Sequence, residues 1–209
     1  MKTVPCRSLA WVAGVVILLA AGLSGCASTA PERHYRLVPA GAAATLPAMP
    51  ALPTPLPVVV VAPVTVPEFV DRPQIVTQGP GAQVFLSEQH RWAEPLKLAI
   101  GRLVAERLAV ALGGALVWAY PAEVGAEAGY RVNLAVQRFD SEPGLVAHTS
   151  ALWTVQRLAD GRQRAGRSAL RTTPTDASLD ALAVAHAQAV AGIADDIARD
   201  IAELARAAR

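Results

Sequence analysis

Cysteine is scarce in this 209-residue chain, which has only Cys6 and Cys26, and the processing site described below would remove the first. A single cysteine forms no intramolecular disulfide, so even in an oxidising compartment the fold must be held by packing. Histidine offers no metal pattern either. His34, His90, His148 and His186 stand singly, and no two form a ligand pair at helical spacing. Catalytic signatures are also missing: there is no Gly-x-Ser-x-Gly, no phosphate-binding glycine loop and no Cys/His pair. Glu88, His90 and Glu94 come nearest to an acid/base cluster, but alternation along an extended segment sends i and i+2 to one face with no further ligand in view. The chain is therefore not expected to be an enzyme. An excess of positive charge is lacking as well. With Lys2 and Arg7 removed from the 19 Lys and Arg, 17 remain against 17 Asp and Glu, and nucleic-acid binding has no electrostatic support.

What is present begins at the N-terminus. Lys2 and Arg7 precede an apolar run, residues 9–22, and small residues then lead into Leu23-Ser24-Gly25-Cys26. That order is a cleavable secretory signal ending in a lipobox, so residues 1–25 read as a lipoprotein signal peptide. The apolar run is short for a membrane span. The Cys26 thiol would carry diacylglycerol and become the first mature residue, and this covalent lipid is the only prosthetic group expected. Ala27 stands where an aspartate would favour inner-membrane retention, which points to the outer membrane, facing the periplasm. Removing 25 of 209 residues leaves 184, enough for one domain with its own core.

Residues 39–57 read PAGAAATLPAMPALPTPLP, a Pro/Ala-rich loop or linker in which prolines withhold backbone donors. Before it, residues 34–38 alternate and suggest a short strand with a lipid-anchored tether at 26–33; if they form no strand, the whole stretch to Pro57 is a stalk. The expected domain covers 34–206. The β-branched run at 58–66, interrupted by Pro63, suggests a buried strand. Residues 75–78 and 83–88 flank Gly79-Pro80-Gly81 as a hairpin. Leu96, Ile100, Leu103, Val104, Leu108 and Leu112 recur at helical spacing after Pro95, and Gly113-Gly114 stop the pattern. Further strands are expected at 116–120, from Tyr130 through Gln137, at 145–158 and at 162–171, the last two joined by Asp160-Gly161. After Pro174, with Asp176 or Ser178 as cap, Leu182, Val190, Ile193, Ile197, Ile201 and Leu204 make one helical stripe, opposite Asp195, Asp196, Arg199, Asp200 and Glu203. The expected class is α+β: one mostly antiparallel sheet with two principal helices packed on it.

Two blocks stand out. Residues 67–76, Pro-Glu-Phe-Val-Asp-Arg-Pro-Gln-Ile-Val, offer Asp71 beside Arg72 for an ion pair or Asx turn between two rigid prolines. This suits a rigid strand connection or a docking loop. Arg91-Trp92-Ala93-Glu94-Pro95 brings residue types common at binding hot spots to a helix start, where they would equally pin the helix. Asp71, Arg72, Arg91, Trp92 and Glu94 are thus the candidate partner or oligomer interface.

Taken in order, the lipobox, His34-Tyr35-Arg36-Leu37, the block at 66–76, residues 91–96 and Arg138-Phe139-Asp140 resemble the ABC-type transport auxiliary lipoprotein family, its PqiC-like group, over residues 35–204. The resemblance implies a non-catalytic outer-membrane lipoprotein that works with an MCE-domain tube protein and an inner-membrane transporter component in moving lipid between membranes and supporting envelope integrity. It also implies a homo-oligomeric ring. A lipoprotein regulator of a peptidoglycan synthase would share the anchor, the proline-rich reach and a small α/β domain. A lipoprotein hydrolase would need a constellation these residues do not supply.

Overall fold

In the computed structural model, residues 31–38, 58–121 and 128–207 are described. The signal segment, Cys26 and residues 39–57 lie outside them. From Glu32 onward the chain forms one compact unit, built as β1 (Arg33–Tyr35), β2 (Val58–Val61), a single 3₁₀ turn (Glu68–Val70), β3 (Gln74–Gln78), β4 (Val84–Trp92), α1 (Leu96–Ala111), β5 (Leu116–Ala119), β6 (Tyr130–Glu142), β7 (Val146–Arg157), β8 (Gln163–Thr172) and α2 (Leu179–Arg206).

The class is α+β with two long helices, as the sequence implies, but the strands form two mixed sheets instead of one mostly antiparallel sheet. The larger has the order β5-β2-β6-β7-β8, and the smaller β1-β4-β3. β2 is parallel to both β5 and β6, and β1 is parallel to β4. The tight-turn pairs, β3/β4, β6/β7 and β7/β8, are antiparallel. Alternation reveals which face of a strand is buried and turns reveal local hairpins. Neither reveals the partner brought by a crossover, and between β2 and β5 the whole β3–β4 hairpin and α1 intervene.

Both helices lie against the larger sheet. Val59, Val61, Tyr130, Val132, Leu134, Val136, Phe139, Ala151, Trp153 and Val155 meet Ile100, Leu108, Val190, Ile193, Ile197 and Ile201 in one buried core, which also takes Ile75 and Trp92 from the smaller sheet and Leu37 from the segment that follows β1. On the opposite face Arg131, Asn133, Leu152 and Arg167 are exposed. β6 changes phase at a bulge between Val136 and Arg138, beyond which Phe139 points into the core. Arg138 and Asp140 remain outside and pair, Nε donating to Oδ2 at 2.9 Å.

The helix ends follow local chemistry. Pro95 is the N-cap of α1 with extended ψ, and the helix begins directly after it. Gly113 (φ 71°) and Gly114 (φ 92°) close α1, their N–H groups donating to Val110 O and Ala109 O, a Schellman pair that needs left-handed backbone. At α2 both cap candidates are used in series: Asp176 accepts from Ser178 N–H at 2.7 Å, and Ser178 Oγ accepts from Ala181 N–H at 3.1 Å.

Candidate functional site

β3 and β4 bring the two unusual blocks side by side. Gln74 pairs with Arg91, and the Trp92 N–H donates to Pro73 O at 2.7 Å. Prolines at 67 and 73 hold the incoming segment around a single 3₁₀ turn, whose end is Asp71. Asp71 takes its charge partner from α1, Lys97 Nζ at 3.2 Å, and not from adjacent Arg72. The Arg72 and Arg91 Nε atoms are buried without a protein partner. Arg91 reaches Glu32 through Nη2 at 3.2 Å, tying β4 to the segment that enters β1. Glu94 accepts from Arg102 Nη2 at 2.8 Å, and Arg102 donates onward to Glu106 at 2.9 Å.

Trp92 is 8 % exposed, and its ring meets Phe139 edge-on with centroids 6.1 Å apart. The five candidate residues are thus neighbours along a strand pair and a helix start, but Asp71, Arg91 and Glu94 each pair with a different residue, Lys97, Glu32 and Arg102. They do not converge on one pocket. Glu88, His90 and Glu94 likewise separate: His90 Nδ1 bonds the Tyr35 hydroxyl at 2.7 Å, while Glu94 is held by Arg102. Among the described residues no three His, Cys, Asp or Glu cluster as a metal site.

Sequence reasoning passed over the most buried polar node. His186 of α2 is fully buried, stacked on Phe139 with centroids 3.8 Å apart. Its Nε2 bonds Ser141 Oγ at 2.8 Å and its Nδ1 bonds Thr149 Oγ1 at 3.0 Å. Burial, helped by the charge of nearby His148, pushes its pKa down to about 3, so the imidazole is neutral. A neutral ring has one donor and one acceptor, and two hydroxyls satisfy both. Only an apolar-stripe position occupied by His could have signalled this, because the partners are far away in sequence. At the other end of α2, Arg157 donates to Leu204 O at 2.9 Å and to Asp160, holding that carboxyl down at about 2.

Two of the depressions among the described residues border the larger sheet. One of about 310 Å³ lies between Ala62, Val64, Lys97, Gly101 and Tyr120. The other, about 450 Å³, is a groove on the outer face of the larger sheet between Pro63, Asn133, Leu152, Thr154 and Ala165. No helix among the described residues is long and apolar enough to cross a membrane.

Residues 35–198 match the ABC-type transport auxiliary lipoprotein component family. The chain belongs to this family. Two solved structures share the fold: an uncharacterised protein (TM-score 0.65, 20 % identity, covering 82 % of this chain and 99 % of that one) and a Xanthomonas campestris protein of the DUF330 family (TM-score 0.59, 17 % identity, covering 83 % and 94 %). No functionally curated protein matches the sequence. Membership gives the chain the role of an auxiliary component of transport and associates it with membranes as a lipoprotein.

Proposed function

We propose that this protein is a non-catalytic accessory subunit of an MCE-type intermembrane lipid transport system, held at the periplasmic face of the outer membrane by lipid on Cys26 and assembling as a homo-oligomeric ring. The observation that carries this reading is the family match across residues 35–198, behind a lipobox whose second mature residue is Ala27. The geometry supports an adaptor. Among the described residues the buried apolar side chains are largely taken up by two helices and two sheets closing on one core, which leaves few of them to line a pocket for acyl chains. The exposed charges of Asp71 and Lys97 at the helix start suit the rim of a protein interface.

Cys26→Ala abolishes acylation in this reading, and in a host with aspartate-based sorting Ala27→Asp moves the protein toward the inner membrane. Membrane fractionation with metabolic palmitate labelling checks both, and label persisting on Cys26→Ala would defeat the anchor. Crosslinking capture from membranes then separates the partners. An MCE-domain protein is expected, whereas a peptidoglycan synthase in its place would favour the regulator.

A further inference from the structure

The β3–β4 hairpin carries no charged residue from Pro73 to Ser87, fifteen consecutive positions. At its base Ile75, Val76 and Trp92 are in the core, but residues 80–86 are all exposed, with Val84 at 47 %, Phe85 at 54 % and Leu86 at 45 %. Alternation turns Phe85 to one face of the ribbon and Val84 and Leu86 to the other, so the tip is apolar on both sides. Contiguous apolar exposure of this kind marks an interaction surface. A protein partner of the usual kind pairs an apolar centre with a polar, charged rim, and this tip has no charged rim.

The path of the chain supplies the occupant. β1 runs parallel to β4 with Arg33 opposite His90, so moving back along the chain from Arg33 corresponds to moving along β4 from His90 toward the tip. Cys26 is seven residues before Arg33, and Gln83 is seven residues before His90. At ~3.3 Å per residue each path spans at most about 23 Å. A lipid on Cys26 therefore holds a bilayer no farther from the start of β1 than the hairpin itself extends. We propose that the hairpin tip, through Val84, Phe85 and Leu86, seats in the headgroup–acyl boundary of the bilayer that carries the Cys26 lipid, a second contact beside the acyl anchor. This rests on the lipid-anchor reading above.

The test uses the full chain, processed and acylated, with Phe85→Cys or, in a second preparation, Val84→Cys as the only free thiol, labelled with an environment-sensitive fluorophore. Arg199→Cys on the exposed side of α2 is the control. The protein is placed in vesicles of phosphatidylethanolamine and phosphatidylglycerol, with and without nitroxide-bearing lipid, and floated. Flotation with blue-shifted emission and lipid-borne quenching at 84 and 85, absent at 199, is the expected result. Flotation with both hairpin labels open to an aqueous quencher and untouched by the lipid nitroxide overturns the proposal while leaving the anchor standing. Labels shielded from water yet unquenched by lipid overturn it in favour of a protein occupant such as a second copy. Failure to float removes the anchor reading and the hairpin proposal with it.

Discussion

Trp92, Phe139 and His186 form a short column of rings linking β4, β6 and α2, edge-on at the first contact and flat at the second. Truncating a side chain so deeply placed leaves a cavity the core cannot refill, so Trp92→Ala is expected to lower stability by about 3–5 kcal/mol in urea melts. An unchanged midpoint would show that the indole contributes nothing to the core, and light scattering on the same variant reports any effect on subunit assembly. His186 makes the fold sensitive to pH. Its pKa falls from an ordinary 6.5 to about 3 on folding, so below pH 6.5 the unfolded chain takes up a proton that the folded chain refuses. Its contribution is complete above pH 6.5 and declines as pH falls toward 3, by about 2 kcal/mol at pH 5. His186→Gln is expected to be less stable at neutral pH but to lose that part of the pH slope, and an identical slope in both proteins would refute the assignment. Trp92 was conspicuous in the sequence beside Arg91 and Glu94. His186 was not, because what defines it, two hydroxyls and a ring on other strands, is brought near only by the tertiary fold.

At the level of elements, hairpins and helix ends were the most legible parts, since Gly79-Pro80-Gly81, Asp160-Gly161 and Gly113-Gly114 act through local backbone preferences. The parallel neighbours of β2 were not legible, being decided by a crossover. The acidic side of α2 also differs from a purely solvated face. Asp195 forms a two-pronged pair with Arg107 of α1 at 2.7 and 2.8 Å, and Asp200 is met by Arg164 of β8 at 3.0 Å. These charges lock α2 to its neighbours, a role that helical periodicity alone cannot reveal. β8 holds a further dependence, on Gly166. A Cβ there would stand 2.1 Å from the Trp153 ring, and Trp153 is itself buried, its Nε1 donating to Ser168 Oγ at 3.2 Å. Gly166→Ala is therefore expected to destabilise by about 1–3 kcal/mol through overpacking, with a change in tryptophan fluorescence. A wild-type melting temperature would show that the ring shifts at no cost.

For the whole molecule, family membership was carried by motifs that the fold now places: residues 66–76 and 91–96 form the paired strands and the helix entry, and Arg138-Phe139-Asp140 sits at the β6 bulge. Each motif does structural work, which explains why resemblance could be read from sequence while the partner-facing surface could not. The central claim is that this subunit connects lipid-transport machinery without itself carrying lipid. Native mass spectrometry of the acylated protein, purified from membranes together with whatever it binds, tests this most directly. The account predicts a homo-oligomer associated with an MCE-domain protein and, beyond the covalent lipid on Cys26, no stoichiometric phospholipid. One phospholipid bound per subunit, or an oligomer that never associates with an MCE-domain protein, would contradict it.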